Sequence, residues 1–305
     1  MGGFLSELGK RLAERWLSLL ALPGALYLAV AALAVALGHD HPFDVPRLTR
    51  RVSDWAAAPA AHTVGGQLVF LAATLAAAAA VGLLAQALGS LTERACLAAD
   101  WRGWSAAPRR LAAAVVDRRQ RRWRQAQADY QRLRDTAARR LARGGGRVNP
   151  APRHAAYRAM VRVSVECPDR PTWSGDRVHS VAVRLERDLH MDLASVWPPL
   201  WLTLPDTARV EIAAARQALT RACLLPAWAA LYLLLAVWWW PATFVALGLV
   251  TAARLRIRVA VDSYALLLDA SVRLHAGNLA RTLGLDLNGP LDRDTGDRIG
   301  RLLGR

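Results

Sequence analysis

The chain has 305 residues, 54% of them hydrophobic, and a formal net charge of +16 carried by 39 Arg and a single Lys, Lys10. So much apolar material excludes a solvated, disordered chain, and three cysteines without paired spacing (Cys96, Cys167, Cys223) give neither a disulfide framework nor a zinc site. The charge is uneven: Gly89 to Arg221 holds 25 Arg against 13 Asp plus Glu, while Trp16–Leu37, Gln67–Leu88 and Ala222–Ala253 hold none.

In chain order, Phe4, Leu5, Leu8 and Leu12 recur at helical spacing with charges opposite, which predicts an interfacial amphipathic helix over 1–15. Trp16 opens an uncharged run of 22 residues, close to the ~20 that cross a bilayer core. Pro23-Gly24 inside it is tolerable in a membrane helix. Residues 38–66 balance three Arg with three Asp and add three His, which reads as a polar external loop. His39 and His41, with Asp44 and His62 nearby, are weak metal candidates, since histidines at i and i+2 can share one face of a strand; an ordinary polar loop is the plainer reading. The run 67–88 completes a first transmembrane hairpin, 16–88.

Residues 89–221 read as a basic cytosolic domain. Val116, Trp123, Tyr130 and Ala137 recur every seven residues and predict one long helix over 108–143, stopped by Gly144-Gly145-Gly146. Arg118, Arg119 and Arg122 on that helix suit anionic lipid headgroups, and Trp123 reads as an interface or anchor residue. Asp117, Asp129 and Asp135 sit at intrahelical pairing distance from the arginines, which weighs against nucleic acid. In the compact region 148–206, Val161, Val163 and Val165 alternate with Arg162, Ser164 and Glu166 and predict a short strand. Helices are expected over 177–191 and 206–221, the latter with Asp206 as N-cap.

The third uncharged run breaks at Pro241 beside an aromatic belt, Trp238, Trp239 and Trp240, and predicts a second hairpin, 222–258, with one long tilted helix as the alternative. Arg254, Arg256 and Arg258 then return to the cytosol, with Arg254 and Arg258 suited to lipid or anion contact. Residues 259–305 read as a cytosolic helix, Ala260 to Leu283, followed by a mobile tail rich in Gly and Asp. Asp269 and His275 on that helix form a polar-pair candidate, structural or acid–base.

The segments Pro171 to Arg177 and Leu189 to Asp206, with the later SYALLLDASVRLH, resemble a group of uncharacterised actinobacterial multi-pass membrane proteins. The shared elements are PTxxG(D/N), DxxxxWPxLW and a helix ending in Leu-His, carried here by Pro171, Thr172, Gly175 and Asp176, by Asp192, Trp197, Pro198, Leu200 and Trp201, and by Leu274 and His275. The resemblance covers about 148–283. It implies a membrane topology and a bacterial origin, and no activity. Trp197 to Trp201 is a rigid apolar wedge whose tryptophans suit an anchor or interface.

The expected fold is mostly α: a polytopic membrane protein with four transmembrane helices in two hairpins, an α-rich cytosolic domain with minor β between them, and both termini on the cytosolic side of a bacterial cytoplasmic membrane. No metal, cofactor or catalytic residue is assigned. The expected function is a non-enzymatic scaffold or sensor working through anionic lipid headgroups, self-association or a membrane or cytosolic protein partner. An oligomeric channel or pore is the alternative, from the small residues of the second span. A membrane-bound enzyme on lipid or envelope precursors ranks below it. Spans without internal charge argue against ion-coupled transport.

Overall fold

A computed structural model describes residues 22–57, 63–144, 146, 149–286, 289 and 291–304. The expected interfacial helix 1–15, Trp16 and His62 lie outside the described residues. The chain forms ten α-helices: α1 Leu22–Leu37, α2 Val45–Ala56, α3 Val64–Leu97, α4 Ala106–Ala142, α5 Ala151–Val163, α6 Trp173–Leu189, α7 Leu193–Thr203, α8 Asp206–Leu235, α9 Ala242–Thr282 and α10 Arg293–Leu302, counted among the described residues. No strand occurs among them, so the expected minor β element is corrected. Val161 and Val163 belong to α5, because the helix that Pro150 to Pro152 starts carries through them and overrides a five-residue alternation.

Contacts divide the chain into two units: Met1–Thr92 with Thr220–Leu255, and Glu93–Leu219 with Arg256–Arg305. In the first unit, α1 and α3 pack backbone to backbone. Gly24 lies on the Ala78 carbonyl, where any Cβ would overlap it, and small residues permit such close approach. Gly89 of α3 likewise receives the Leu224 side chain of α8. Tyr27 stacks edge-on with Tyr232 at 5.4 Å, and its hydroxyl donates to the Leu231 carbonyl at 3.3 Å. The chain breaks between α8 and α9 at residues 236–241, and Tyr232 and Leu235 pack against Ala242 and Ala246 across that turn. There Trp239 donates its indole N–H to the Pro42 carbonyl at 3.0 Å, Trp240 contacts Phe43 and Phe244 edge-on, and Trp238 is exposed.

The segment 38–66, expected as a polar loop, contains α2. Asp44 accepts the Arg47 amide at 2.9 Å and starts it. Val45, Leu48 and Val52 share one face of α2, and Val45 and Val52 are exposed. Two helices among the described residues, α3 and α8, are long and apolar enough to cross a membrane; α1 is apolar but shorter.

The second unit has a core of its own. Ala265, Leu268, Val272, Ala276 and Leu279 make a buried stripe on α9 at helical spacing, facing Val181, Leu185 and Leu189 of α6 and Val196 and Leu200 of α7. Each fully buried Leu here contributes about 1.5–3 kcal/mol. Within the tail expected to be mobile, Arg293–Leu302 forms α10: Asp292 caps it through the Thr295 amide at 2.9 Å, Ile299 is fully buried in the core, and Gly296 lies on the Leu189 carbonyl. Alternating Gly and Asp hid a helix whose attachment needs a glycine at one close contact.

Candidate functional site

The long basic helix turns one face inward. On α4, Ala112, Val116 and Trp123 are buried, and Arg119 lies on the same face, three residues after Val116 and four before Trp123. Trp123 donates its indole N–H to the Ser164 carbonyl at 3.0 Å, and Gln120 donates to the Pro168 carbonyl at 2.9 Å. Arg119 donates to Asp176 Oδ2 at 2.6 Å and to the Val163 carbonyl at 3.1 Å. Two readings are corrected by this geometry: Trp123 is a core residue rather than an anchor, and the Arg119 guanidinium is committed to Asp176 rather than to lipid. Arg118 and Arg122 are exposed, as are Arg254 and Arg258. Arg258 lies 5.1 Å from the Trp173 ring centre.

The Pro171-to-Arg177 element is a helix start welded to its surroundings. Thr172 caps α6 by accepting the Gly175 amide at 3.0 Å and donates its hydroxyl to the Cys96 carbonyl. Gly175 carries no side chain because the Leu97 carbonyl lies where a Cβ would go. Asp176 is buried at the first turn of α6, where the helix dipole favours an anion. Its Oδ1 accepts the amides of Asp169 and Arg170 at 2.9 and 2.8 Å. Burial pushes its carboxyl above the usual carboxylate range, against the opposing pull of those amides and of Arg119.

This frame and the Asp192-to-Trp201 element together wall a cavity of about 500 Å³ in the second unit. Asp192 caps α7 through the amides of Ala194 and Ser195 at 3.3 and 3.2 Å. That turns Trp197 and Pro198 to the cavity wall, with the Trp201 ring tilted against Trp197 at a centroid distance of 5.8 Å. Tyr264 and Leu268 of α9 form another wall, and Arg170 and His179 supply polar groups. Arg170 donates Nη1 to the Ala98 carbonyl at 2.8 Å and Nη2 to His179 Nδ1 at 3.4 Å. Burial, and then Arg170, push the His179 imidazole below its ordinary value, so it is neutral at neutral pH and its Nδ1 is an acceptor.

Asp269 and His275 are not brought together by any hydrogen bond. Asp269 pairs with Arg184 at 3.5 Å and Arg273 at 3.1 Å, and His275 Nδ1 is buried without a partner. Both groups of Asp269 partners are structural arginines rather than a reacting centre. His41 Nδ1 meets Arg47 at 3.3 Å, and no cluster of three or more His, Cys, Asp or Glu suited to a metal occurs among the described residues. Arg170 and His179 carried no signal of their own in the sequence beyond lying beside the Pro171 element. Comparison with protein families, with curated proteins and with solved structures finds no match.

Proposed function

We propose that the chain is an integral membrane protein of four spans in two hairpins, whose second unit is a cytosolic, non-enzymatic sensor or scaffold domain built around the 500 Å³ cavity. The observation that carries the membrane part is the surface of α3. Phe70 is 75% and Val69 70% exposed, and Leu68, Leu71, Leu75, Leu83 and Leu84 join them. Monomeric soluble proteins rarely leave so continuous an apolar surface bare, whereas lipid covers it without cost.

The remaining spans of this reading are α1 and the apolar first part of α9, Ala242 to Ala253, which ends at Arg254. Exposed Val45 and Val52 on α2, with Arg47, Arg50 and Arg51 on its other side, suit a helix lying in the external headgroup region. The excess of Arg over 89–221 favours the cytosolic side, and exposed Arg118, Arg122 and Arg254 suit anionic headgroups. Sensing is favoured over a bare scaffold because the cavity is of small-molecule size, within roughly 300–1,000 Å³, and mixes apolar walls with a few polar groups.

The test is extraction of membranes from cells expressing the chain. Alkaline carbonate is expected to leave the protein in the membrane pellet and neutral detergent to release it. Release by carbonate would overturn the reading. Self-association is a second reading, supported by exposed Ala73, Ala76 and Ala80 along one side of α3.

A further inference from the structure

Arg170 is a cation in the cavity wall without an ion pair among the described residues. Its Nη1 and Nη2 bond a carbonyl and an imidazole, and its Nε is buried with no hydrogen-bond partner. Asp169 and Asp176 both act on it electrostatically, yet both are bound elsewhere. Asp176 holds Arg119, and Asp169 holds Arg102 at 2.5 Å. The one carboxylate of the cavity wall, Asp192, takes the amides of Ala194 and Ser195 and the Ser195 hydroxyl at 2.6 Å. The His179 imidazole turns its acceptor to Arg170 and adds no negative charge.

A guanidinium is a planar fork of donors matched to carboxylate and phosphate, and its bonds strengthen where water is scarce. The other walls have the opposite chemistry: Trp197, Tyr264, Val178 and Leu268 are apolar or aromatic. An occupant must therefore carry a negative head and an apolar body.

We infer that this cavity binds an anionic amphiphile, its carboxylate or phosphate head held by Arg170 and its apolar body seated against Trp197, Tyr264 and Leu268. The inference deepens the sensor reading above by naming the ligand class of the same cavity. A soluble organic acid and an anionic membrane lipid share this chemistry.

The experiment is calorimetric titration of the full chain in neutral maltoside micelles with 1-naphthoate. The comparison probes are 1-naphthylmethylammonium, which keeps the body and reverses the charge, and inorganic phosphate, which has a head and no body. Saturable naphthoate binding is expected, with both other probes at least about tenfold weaker. Arg170→Gln is expected to weaken naphthoate about ten- to a hundredfold, the loss of a charged hydrogen bond, and Arg170→Lys to restore part of it. Ala182→Phe, which fills the cavity from α6, is expected to abolish binding while leaving the helical circular dichroism unchanged. Equal binding of the cationic probe, or naphthoate affinity untouched by Ala182→Phe, overturns the inference, and the second outcome decides even if Arg170→Gln does not fold. Nanodiscs separate the two sources. Naphthoate displaced in phosphatidylglycerol relative to phosphatidylcholine assigns the site to lipid, and equal affinity in both assigns it to a soluble acid. A protein that resists carbonate extraction yet fails to bind naphthoate loses the ligand class and keeps the membrane reading.

Discussion

Arg177 donates to Asp262 at 2.6 Å, the first rung of a ladder between α6 and α9. Arg184 to Asp269 and Arg273 to Asp188 repeat the same separation of 85 residues. A constant offset means that the two helices run parallel, and rungs at 177, 184 and 188 recur on one face at helical spacing. The ladder flanks the apolar stripe and fixes its register.

The ladder makes charge order testable. Arg177→Glu places two acids together at Asp262 and is expected to lower the thermal midpoint of the detergent-solubilised protein, and adding Asp262→Arg is expected to recover much of the loss. A coupling of about 0.5–3 kcal/mol is the scale for residues in direct contact. A double variant no better than the single one would contradict the pairing.

The Arg119–Asp176 pair is buried more deeply, with Asp176 only 3% exposed. Asp176→Ala strands the Arg119 guanidinium and the amides of Asp169 and Arg170, and is expected to cost about 3–5 kcal/mol. The apolar double replacement Arg119→Met with Asp176→Leu is expected to be milder than the single change for the Arg119 part of that cost. Denaturant midpoints of the three proteins check the order.

One close contact predicts intolerance of a single methyl group. Gly175→Ala forces the Leu97 carbonyl and α6 apart, at a cost of about 1–3 kcal/mol. Thr172→Ala removes the cap and the hydroxyl's bond to the Cys96 carbonyl without forcing atoms together, and is expected to cost about 1–2 kcal/mol. Thermal midpoints should fall further for the glycine than for the threonine.

Acid is expected to weaken the second unit in two windows. The folded His179 pKa is depressed, so the unfolded chain binds the proton more readily and stability falls as pH drops below about 6.5. Arg170, Arg102, Asp169 and Asp176 are the charged groups acting on it. The hydrogen bond from Arg273 holds Asp188 below its ordinary value, so its contribution is lost only in the acid range, below about 4. His179→Gln should flatten the first window and leave the second in place, as read from thermal midpoints against pH.

The helical class, the stop after Arg143 and the break at Pro241 were legible because each rests on local chemistry: period, glycine and proline. The strand over 161–165 was misread because five alternating residues cannot reveal the helix behind them. Arg119 was legible in principle, since its spacing from Val116 and Trp123 put it on the buried face. The same holds for α2, where Val45, Leu48 and Val52 follow helical spacing. Asp262 and Asp269 lie two turns apart on α9, and only the parallel neighbour α6, with Arg177 and Arg184, explains that spacing. The cavity was half visible: Asp192, Trp197 and Pro198 stood out, whereas the significance of Arg170 depends on carboxylates committed to Arg119 and Arg102, a tertiary fact with no local trace.

The most direct measurement of the membrane reading is labelling with a membrane-impermeant maleimide in intact and permeabilised cells. One variant keeps Cys167 alone, and another lacks the native cysteines and carries His41→Cys; both positions are exposed. The cysteine at 41 is expected to label in intact cells and Cys167 only after permeabilisation. Labelling of Cys167 in intact cells, or protection of position 41 until lysis, would contradict a cytosolic second unit joined to external loops by membrane spans.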